Sequence, residues 1–437
     1  MTTTVTPSRS EPTSALVPMI AIGTLFFIFG FITWLNGALI PFLQIICDLS
    51  EIQALFVAFC FYIAYVVMAL PMSWILDKTG YQKGMVIGLG LVALGLLLFV
   101  PAAKTHYFSI FLLAQFVVGS GLTILQTASN PYIVRIGPHE SAAARIAVMG
   151  LLNKAAGVLA PILFTLLILS DFPDVSKASV DAMNDAARTA TVTEMAQKVI
   201  VPYVGMAIAM LVLAAALFKV NLPAIREEAP SDVPSHESIL RYPQLVLGAL
   251  ALFFYVGVEV IAGDTIGLYG SSIGISNVTS LTAYTMASMV MGYLLGLVLI
   301  PKVLTQNRAL CASAALGLIL TVCILFASDN TTVISDLLWS NFGVPAVPDS
   351  VACIALLGLA NAMCWPAIWP LALADLGKFT ARGSALLIMG IAGGAILPLV
   401  YGGLANIAGQ KEAYALLLVG YAAMGWYGMT GYKKRSW

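Results

Sequence analysis

The sequence predicts an all-α integral membrane protein, with twelve transmembrane helices arranged as two six-helix halves. The prediction rests on composition, on the number of long apolar runs, and on a polar segment that divides those runs evenly. The chain has 437 residues, of which 60% are hydrophobic and 10% are charged, and its mean hydropathy is +0.95. Soluble domains carry about 25% charged residues. Most of this chain is therefore expected to lie within a bilayer.

Twelve runs are long enough to span a membrane, because a spanning helix needs about 20 apolar residues. A polar, charged segment separates the first six runs from the last six. We predict a tail at 1–16, a first half at 17–218, a linker at 219–242, a second half at 243–432 and a tail at 433–437. The predicted helices lie near 17–45, 52–76, 84–102, 108–134, 144–170, 199–218, 243–269, 277–300, 309–328, 350–374, 383–407 and 412–432.

The basic residues predict the orientation of the helices, because Lys and Arg are enriched on the cytoplasmic side of a membrane. With the N-terminus inside, fifteen of the 21 basic residues lie inside and five lie outside. The remaining one, Lys154, lies within a predicted helix. Both termini are thus expected to be cytoplasmic, in a multi-pass protein of the bacterial inner membrane. The first fourteen residues are polar and lack a signal-peptide pattern.

Enzymatic and nucleic-acid-binding functions are not expected. The three histidines lie in predicted loops without metal-ligand spacing, no phosphate-binding glycine loop occurs, and the net charge is zero. The six cysteines are interpreted as packing residues.

Three ionisable residues within predicted helices indicate an ion or substrate pathway, because charge at bilayer depth is unfavourable. They are Lys154 in helix 5, and Glu259 and Asp264 in helix 7. Lys154 must be neutral or paired at that depth, and we expect it to pair with Glu259 across the two halves. Asp264 is placed near the outer interface, where it would cap the helix or bind water.

Four segments resemble the fucose/galactose/glucose cation-symporter family of the major facilitator superfamily. They are WLNGALIPFLQ at 34–44, LQTASNPYIVRIGP at 125–138, WPAIWPLAL at 365–373 and ALLIMGIAGGAILPLVYGG at 385–403. The glucose/galactose branch fits better than the fucose branch, because the fucose symporters carry acids where this chain has Gly37 and Gln126. The resemblance implies the major facilitator fold and import of a hexose such as glucose, galactose or mannose, coupled to a cation. A facilitative uniporter, an N-acetylglucosamine or fucose symporter and a sugar sensor remain alternatives.

Amide and hydroxyl side chains in the predicted helices match the hydroxyl groups of a sugar, since an amide both donates and accepts hydrogen bonds. Gln126, Thr127 and Asn130 share one face of helix 4. Plain helix-to-helix adhesion is the alternative for each residue. The other predicted sugar contacts are Asn36 and Gln44 on helix 1, Asn153 on helix 5, and Asn361, Trp365 and Trp369, which form one stripe on helix 10. An indole face packs well against the C–H face of a sugar ring.

Two groups of residues are predicted to serve gating. The loop DKTGYQKG, with Asp77, Lys78 and Gly80, resembles a reduced form of the superfamily signature between helices 2 and 3. Bends are expected at Pro366, because proline lacks a backbone donor, and at Gly393 and Gly394, where close packing is an equal explanation.

The expected partners are a hexose, a cation and the lipid bilayer, with the protein working as a monomer and without a cofactor beyond the transported ion. Glu259 and Asp264, with Thr265, Asn36 and nearby carbonyls, offer the oxygen ligands that a hard cation prefers. Sodium is slightly favoured because Gly37 and Gln126, at the positions of the fucose symporters' acids, do not titrate. A proton would need only Glu259, and an uncoupled facilitator remains open.

Overall fold

The computed structural model describes residues 16–135, 142–172, 175–220, 238–300, 303–376 and 379–437. These residues are mostly helical and contain no strand. Ten helical stretches among them are long and apolar enough to cross a membrane. At the second and twelfth predicted positions, the helices Glu51–Val67 and Leu416–Met429 are shorter, with 17 and 14 residues. The all-α prediction is confirmed, whereas length and composition support ten of the twelve spans.

The first half forms spans one to six. Its helices are α1 (Leu16–Trp34) and α2 (Asn36–Ile46) in span one, α3 (Glu51–Val67) and α4 (Ala69–Thr105) in spans two and three, α5 (Phe108–Arg135) in span four, α6 (Ala142–Ile168) in span five, the short α7 (Lys177–Asp181) and α8 (Asp185–Lys198), and α9 (Ile200–Lys219) in span six.

The second half forms spans seven to twelve. Its helices are α10 (Pro243–Asp264) and α11 (Ile266–Ser272) in span seven, α12 (Thr282–Leu299) in span eight, α13 (Gln306–Phe326) in span nine, the short α14 (Val333–Leu338), α15 (Asp349–Asn361) and α16 (Cys364–Leu373) in span ten, α17 (Thr380–Met389) and α18 (Gly393–Ala408) in span eleven, and α19 (Gln410–Ala413) and α20 (Leu416–Met429) in span twelve. Most of the predicted linker, 221–237, lies outside the described residues.

Four spans are interrupted near their middle, at Leu35, at Thr265, between α15 and α16, and at the 3₁₀ turn Gly390–Ala392. The third break has a chemical cause, since Pro366 has no N–H for the carbonyl of Ala362, four residues earlier. Irregular backbone at membrane depth is tolerated where protein covers it. Every residue of α2 is buried, which meets this requirement.

The sequence between spans two and three is helical on both sides of a single turn. Within α4, Gly80 has φ 77° and ψ 171°, a left-handed conformation that glycine adopts without strain. The chain reverses there instead of forming the predicted loop. Lys78 places its Nζ 3.6 Å from the Trp74 ring centroid. The side chain of Asp77 lies outside the described part of the structure.

The two halves meet along two pairs of helices, α6 with α12 and α3 with α18. Because successive spans alternate in direction, α1 begins and α20 ends at one end of the bundle, here named the terminal end. The opposite end is named the distal end.

Close contacts seal the distal end. A Cβ built on Gly267 of α11 would lie 3.1 Å from Cγ of Pro41 in α2. The hydroxyls of Thr165 and Thr279, one from each half, hydrogen-bond at 2.7 Å.

A polar segment of the first half, which contains α7 and α8, is anchored to the end of span one by charge. Asp48 binds Lys177 at 2.6 Å and Arg188 at 3.0 Å. The hydrogen bond and positive charge of Lys177 hold the pKa of Asp48 below its ordinary value. Asp48 is thus exposed but ion-paired. Such exposed pairs contribute little stability, at most about 1 kcal/mol each.

Candidate functional site in the centre of the bundle

Lys154 and Glu259 form an ion pair between the two halves, which confirms the predicted pairing. Lys154 lies on α6 and Glu259 on α10, and Nζ is 2.6 Å from Oε1. Both side chains are about nine-tenths buried, with 10% and 9% exposed. A pair taken out of water in this way is sensitive to the loss of either partner, because the remaining charge stays buried without compensation.

Trp34 lies beside the ammonium group of Lys154. Its ring centroid lies 4.5 Å from the Nζ of Lys154, which allows a cation–π interaction. Trp34 is the last residue of α1, beside the break in span one. The sequence did not single out this residue, although it opens the motif WLNGALIPFLQ. The lysine is thus held between a carboxylate of one half and an indole of the other.

Asp264 is buried more deeply than the sequence predicted. It is the last residue of α10, it is 0% exposed, and neither carboxyl oxygen has a hydrogen-bond partner among the described residues. The expected position, open to water near the outer interface, is therefore corrected, because protein encloses the carboxyl group. The position along span seven indicates depth but not the packing around the side chain.

Three tyrosines that were not predicted from the sequence lie near Glu259 or Asp264. Tyr255 and Tyr293 lie within electrostatic range of Glu259. Tyr62, on α3 of the first half, lies within range of both acids, and its hydroxyl has no hydrogen-bond partner among the described residues. A usable signal existed for Tyr255, which precedes Glu259 by one helical turn.

The polar face predicted on helix 4 is present on α5. Gln126 donates from Nε2 to the hydroxyl of Tyr65 at 2.8 Å. Thr127 donates to the backbone oxygen of Thr123 at 2.7 Å. Gln126, Thr127 and Asn130 are all partly exposed, although span four is among the three most buried spans. These three polar side chains therefore remain partly accessible on a well-buried span.

The two tryptophans of α16 form a stacked pair. The rings of Trp365 and Trp369 are 5.2 Å apart and nearly parallel, with an interplanar angle of 21°. Tyr255 extends the aromatic surface, 6.3 Å from Trp365. Both tryptophans are partly exposed on span ten, the most buried of the ten spans. They present a flat aromatic surface near the ion pair.

Asn361 does not share that surface, so the predicted three-residue stripe is wrong. The break between α15 and α16 separates it from the tryptophans, and it is fully buried. Its Oδ1 accepts a hydrogen bond from Tyr421 of span twelve at 2.9 Å. The i, i+4, i+8 spacing predicts a shared face only on one continuous helix, and the helix is interrupted between Asn361 and Cys364.

The amides on helices 1 and 5 are buried or hydrogen-bonded within the first half. Asn36 is buried inside the first half, where its Oδ1 accepts from Gln115 at 2.8 Å. Asn153 donates to the backbone oxygen of Phe26 at 3.4 Å, and Gln44 is 7% exposed. For Asn36 and Asn153, helix adhesion explains the observed contacts better than sugar binding.

The predicted gating glycines lie in tight contacts just after the break in span eleven. A Cβ on Gly393 would lie 1.8 Å from the backbone oxygen of Phe253. A Cβ on Gly394 would lie 3.0 Å from Val260 and 3.1 Å from Tyr62. Close packing, the alternative named from the sequence, accounts for both glycines. Their role in gating, like that of Pro366, stays a prediction.

Three of the four residues predicted to bind sodium are engaged by other partners. Thr265 donates its hydroxyl to the carbonyl of Ile261 at 2.6 Å and also bonds Tyr414. Asn36 is occupied by Gln115, and Glu259 is occupied by Lys154. Among the described residues, no group of three or more His, Cys, Asp or Glu could hold a metal ion. Of the predicted ligands, Asp264 alone has no partner among the described residues, so sodium binding stays a prediction.

Comparison with known proteins places the chain in a family. The model of the Major Facilitator Superfamily matches residues 22–397. A glucose/galactose transporter of Brucella abortus is 34% identical over 94% of this chain and 92% of its own. The L-fucose-proton symporter of Escherichia coli is 26% identical over 92% and 90%.

A solved structure agrees with this placement. The major facilitator transporter FucP, crystallised in the outward conformation, superposes with a TM-score of 0.71 and 25% identity, over 95% of this chain and 98% of that one. These proteins are transporters, so the expectation that the chain is not an enzyme is confirmed, and any coupling ion is cargo rather than a cofactor. The chain therefore belongs to the major facilitator superfamily, and to the fucose/galactose/glucose family that its motifs resemble.

Proposed function

We propose that this protein moves a hexose across the membrane by alternating access, and that transport is coupled to a proton. The Lys154–Glu259 pair carries the proposal, because it joins the two halves at the centre of the bundle. Transporters of this architecture work by rocking their halves around a central site. A pair that bridges the halves must break or rearrange in that movement, so the pairing of these two side chains and the access of the site are linked.

The chemistry around the pair suits a sugar. Trp365 and Trp369 offer an aromatic face, and Gln126 offers a partly exposed amide on the opposite half. An indole can cover the apolar face of a pyranose while amides bond its hydroxyls. The names of the relatives add glucose and galactose as the first sugars to test.

A proton fits the site better than the sodium ion favoured by the sequence. Sodium needs several oxygen ligands at one point, and Thr265, Asn36 and Glu259 are engaged by other partners. A proton needs only one carboxyl group. The E. coli relative is named a proton symporter, and its family acids correspond to Gly37 and Gln126 here, so a different acid must carry the proton.

Import requires that the distal end open to the outside of the cell. With both termini in the cytoplasm, as the basic residues predict, the contact of Thr165 with Thr279 lies at the outer end. An importer would part this contact to take up the hexose and restore it before release into the cytoplasm.

The test is uptake of radiolabelled glucose or galactose into liposomes that contain the purified protein. Accumulation driven by a proton gradient, in sodium-free buffer, is the expected result. Accumulation that requires a sodium gradient would contradict proton coupling. Exchange without accumulation under either gradient would identify a facilitator. Binding without any movement of sugar would identify a sensor. A panel of competing sugars, including mannose, fucose and N-acetylglucosamine, defines the preferred hexose.

Trp365→Ala is expected to raise the KM for sugar about tenfold, with a smaller effect on the maximum rate. The variant removes one half of the stacked pair, and an aromatic contact of this kind contributes about 0.5 to 1.5 kcal/mol. The matched control is Trp426→Ala, because Trp426 lies on α20 and is 44% exposed. Equal effects of the two substitutions would show that Trp365 has no specific role in binding.

A further inference from the structure

Asp264 lies in the chain between two glycines that pack against the first half near the distal end. It ends α10, directly before the break at Thr265 that precedes α11. A Cβ on Gly263 would lie 2.5 Å from the Trp34 ring, and a Cβ on Gly267 would lie 3.1 Å from Pro41. The carbonyl of Gly263 also accepts a hydrogen bond from Thr282 at 2.7 Å. The backbone on both sides of Asp264 is thus held by contacts that would change if the halves parted at this end.

The two acids of span seven have opposite surroundings. Glu259 has a lysine partner at 2.6 Å. Asp264 is 0% exposed and neither of its oxygens has a partner among the described residues. A buried carboxylate without a donor is strongly unfavourable, and such a group takes up a proton instead. When neighbouring acids are placed in contrasting environments, they divide the roles of charge and proton carrier between them.

The other ionisable groups around Asp264 do not supply a positive charge directly. Glu259, on the same helix, is negative and neutralised by Lys154. Tyr62 faces it from α3, and Tyr65 lies beside Tyr62. The Tyr62 hydroxyl has no partner among the described residues. Asp264 and Tyr62 are thus two buried polar groups, one from each half, that nothing else in the described fold engages.

We propose that Asp264 is the proton-binding group, and that the distal end closes only when this carboxyl carries a proton. The proton comes from water on the distal side while the end is open, and forms an O–H bond on the Asp264 carboxylate. Closure then buries a neutral acid rather than a charge, so each closing step takes one proton into the sealed protein. This inference rests on the proposed proton-coupled function and assigns its proton site.

The experiment measures distal closure without sugar. Thr279→Cys places a thiol in the seal, where position 279 is 3% exposed, and its reaction with a maleimide in detergent reports opening. Ser272→Cys, at an exposed position near the same surface, corrects for the pH dependence of thiol reactivity, and the parent chain corrects for the native cysteines. Relative labelling at position 279 is expected to fall as the pH is lowered.

Asp264→Asn is expected to make that labelling low and independent of pH, because an amide is permanently neutral. In liposomes, the same variant should lose proton-driven accumulation while it retains exchange of labelled hexose, which also shows that it is folded. Labelling by Asp264→Asn that still follows pH as in the parent would overturn the proposal.

Asp264→Glu provides a second test if the asparagine variant does not fold. Labelling at position 279 should still depend on pH in this variant, but the pH at the midpoint of the labelling curve should shift. An unshifted midpoint would mean that another group titrates. The labelling requires no sugar, so a chain that moves no hexose but shows the expected labelling would refute only the proposed substrate.

Discussion

Lys154→Met is expected to abolish coupled uptake. The substitution leaves Glu259 about nine-tenths buried without its partner, and breaking one side of a buried pair costs about 3 to 5 kcal/mol. Glu259 would escape this cost by taking up a proton permanently, and its link to the position of the two halves would be lost. Uptake of hexose into liposomes under a proton gradient is the measurement. Residual transport is expected to be equilibrative and insensitive to the gradient.

Two further variants separate the pair from general damage to the protein. Lys198→Met removes a lysine that is paired with Asp171 on the surface, where the side chains are 38% and 55% exposed, and should leave uptake unchanged. The double variant Lys154→Met with Glu259→Gln should be more stable than Lys154→Met, because no unpaired charge remains, but should stay uncoupled. Gradient-driven accumulation by Lys154→Met at the parent rate would show that the pair is not part of coupling.

The pair could be predicted from the sequence because an unpaired charge inside a bilayer is energetically unfavourable. Lys154 is the one basic residue within a predicted span, and Glu259 lies at a similar depth in the other half. Few other partners were therefore available to Lys154. The directions of the amides could not be predicted in the same way. Asn36 is hydrogen-bonded to Gln115 and Asn361 to Tyr421, each within its own half. Each asparagine also lies beside a break in its helix.

The tryptophan pair shows the same distinction. Trp365 and Trp369 lie one turn apart within α16, and their predicted shared face is present. Asn361 lies one turn before Trp365 in the sequence but beyond the break. Spacing therefore predicts neighbours only where the backbone hydrogen bonds continue, and Pro366 indicated the place where they stop.

Gly37→Ala is expected to hold the distal end open and so to reduce transport strongly. A Cβ at Gly37 would lie 2.0 Å from Oγ1 and 2.8 Å from Cβ of Thr282 in the other half. Overpacking of this kind costs about 1 to 3 kcal/mol. Because the clash exists only when the halves meet at this end, it shifts the gate equilibrium by about 5- to 150-fold toward opening. Maleimide labelling at Thr279→Cys should rise, and hexose exchange should fall.

The same contact leaves no room for an acidic side chain at position 37 against Thr282 in this structure. Thr282→Gly combined with Gly37→Ala should recover part of the transport, although the bond from Thr282 to Gly263 is then lost. Gly90→Ala is the matched control, because its Cβ would meet nothing within 4 Å. If Gly37→Ala closes and transports like Gly90→Ala, then α2 and Thr282 do not approach each other in the working cycle as they do in this structure.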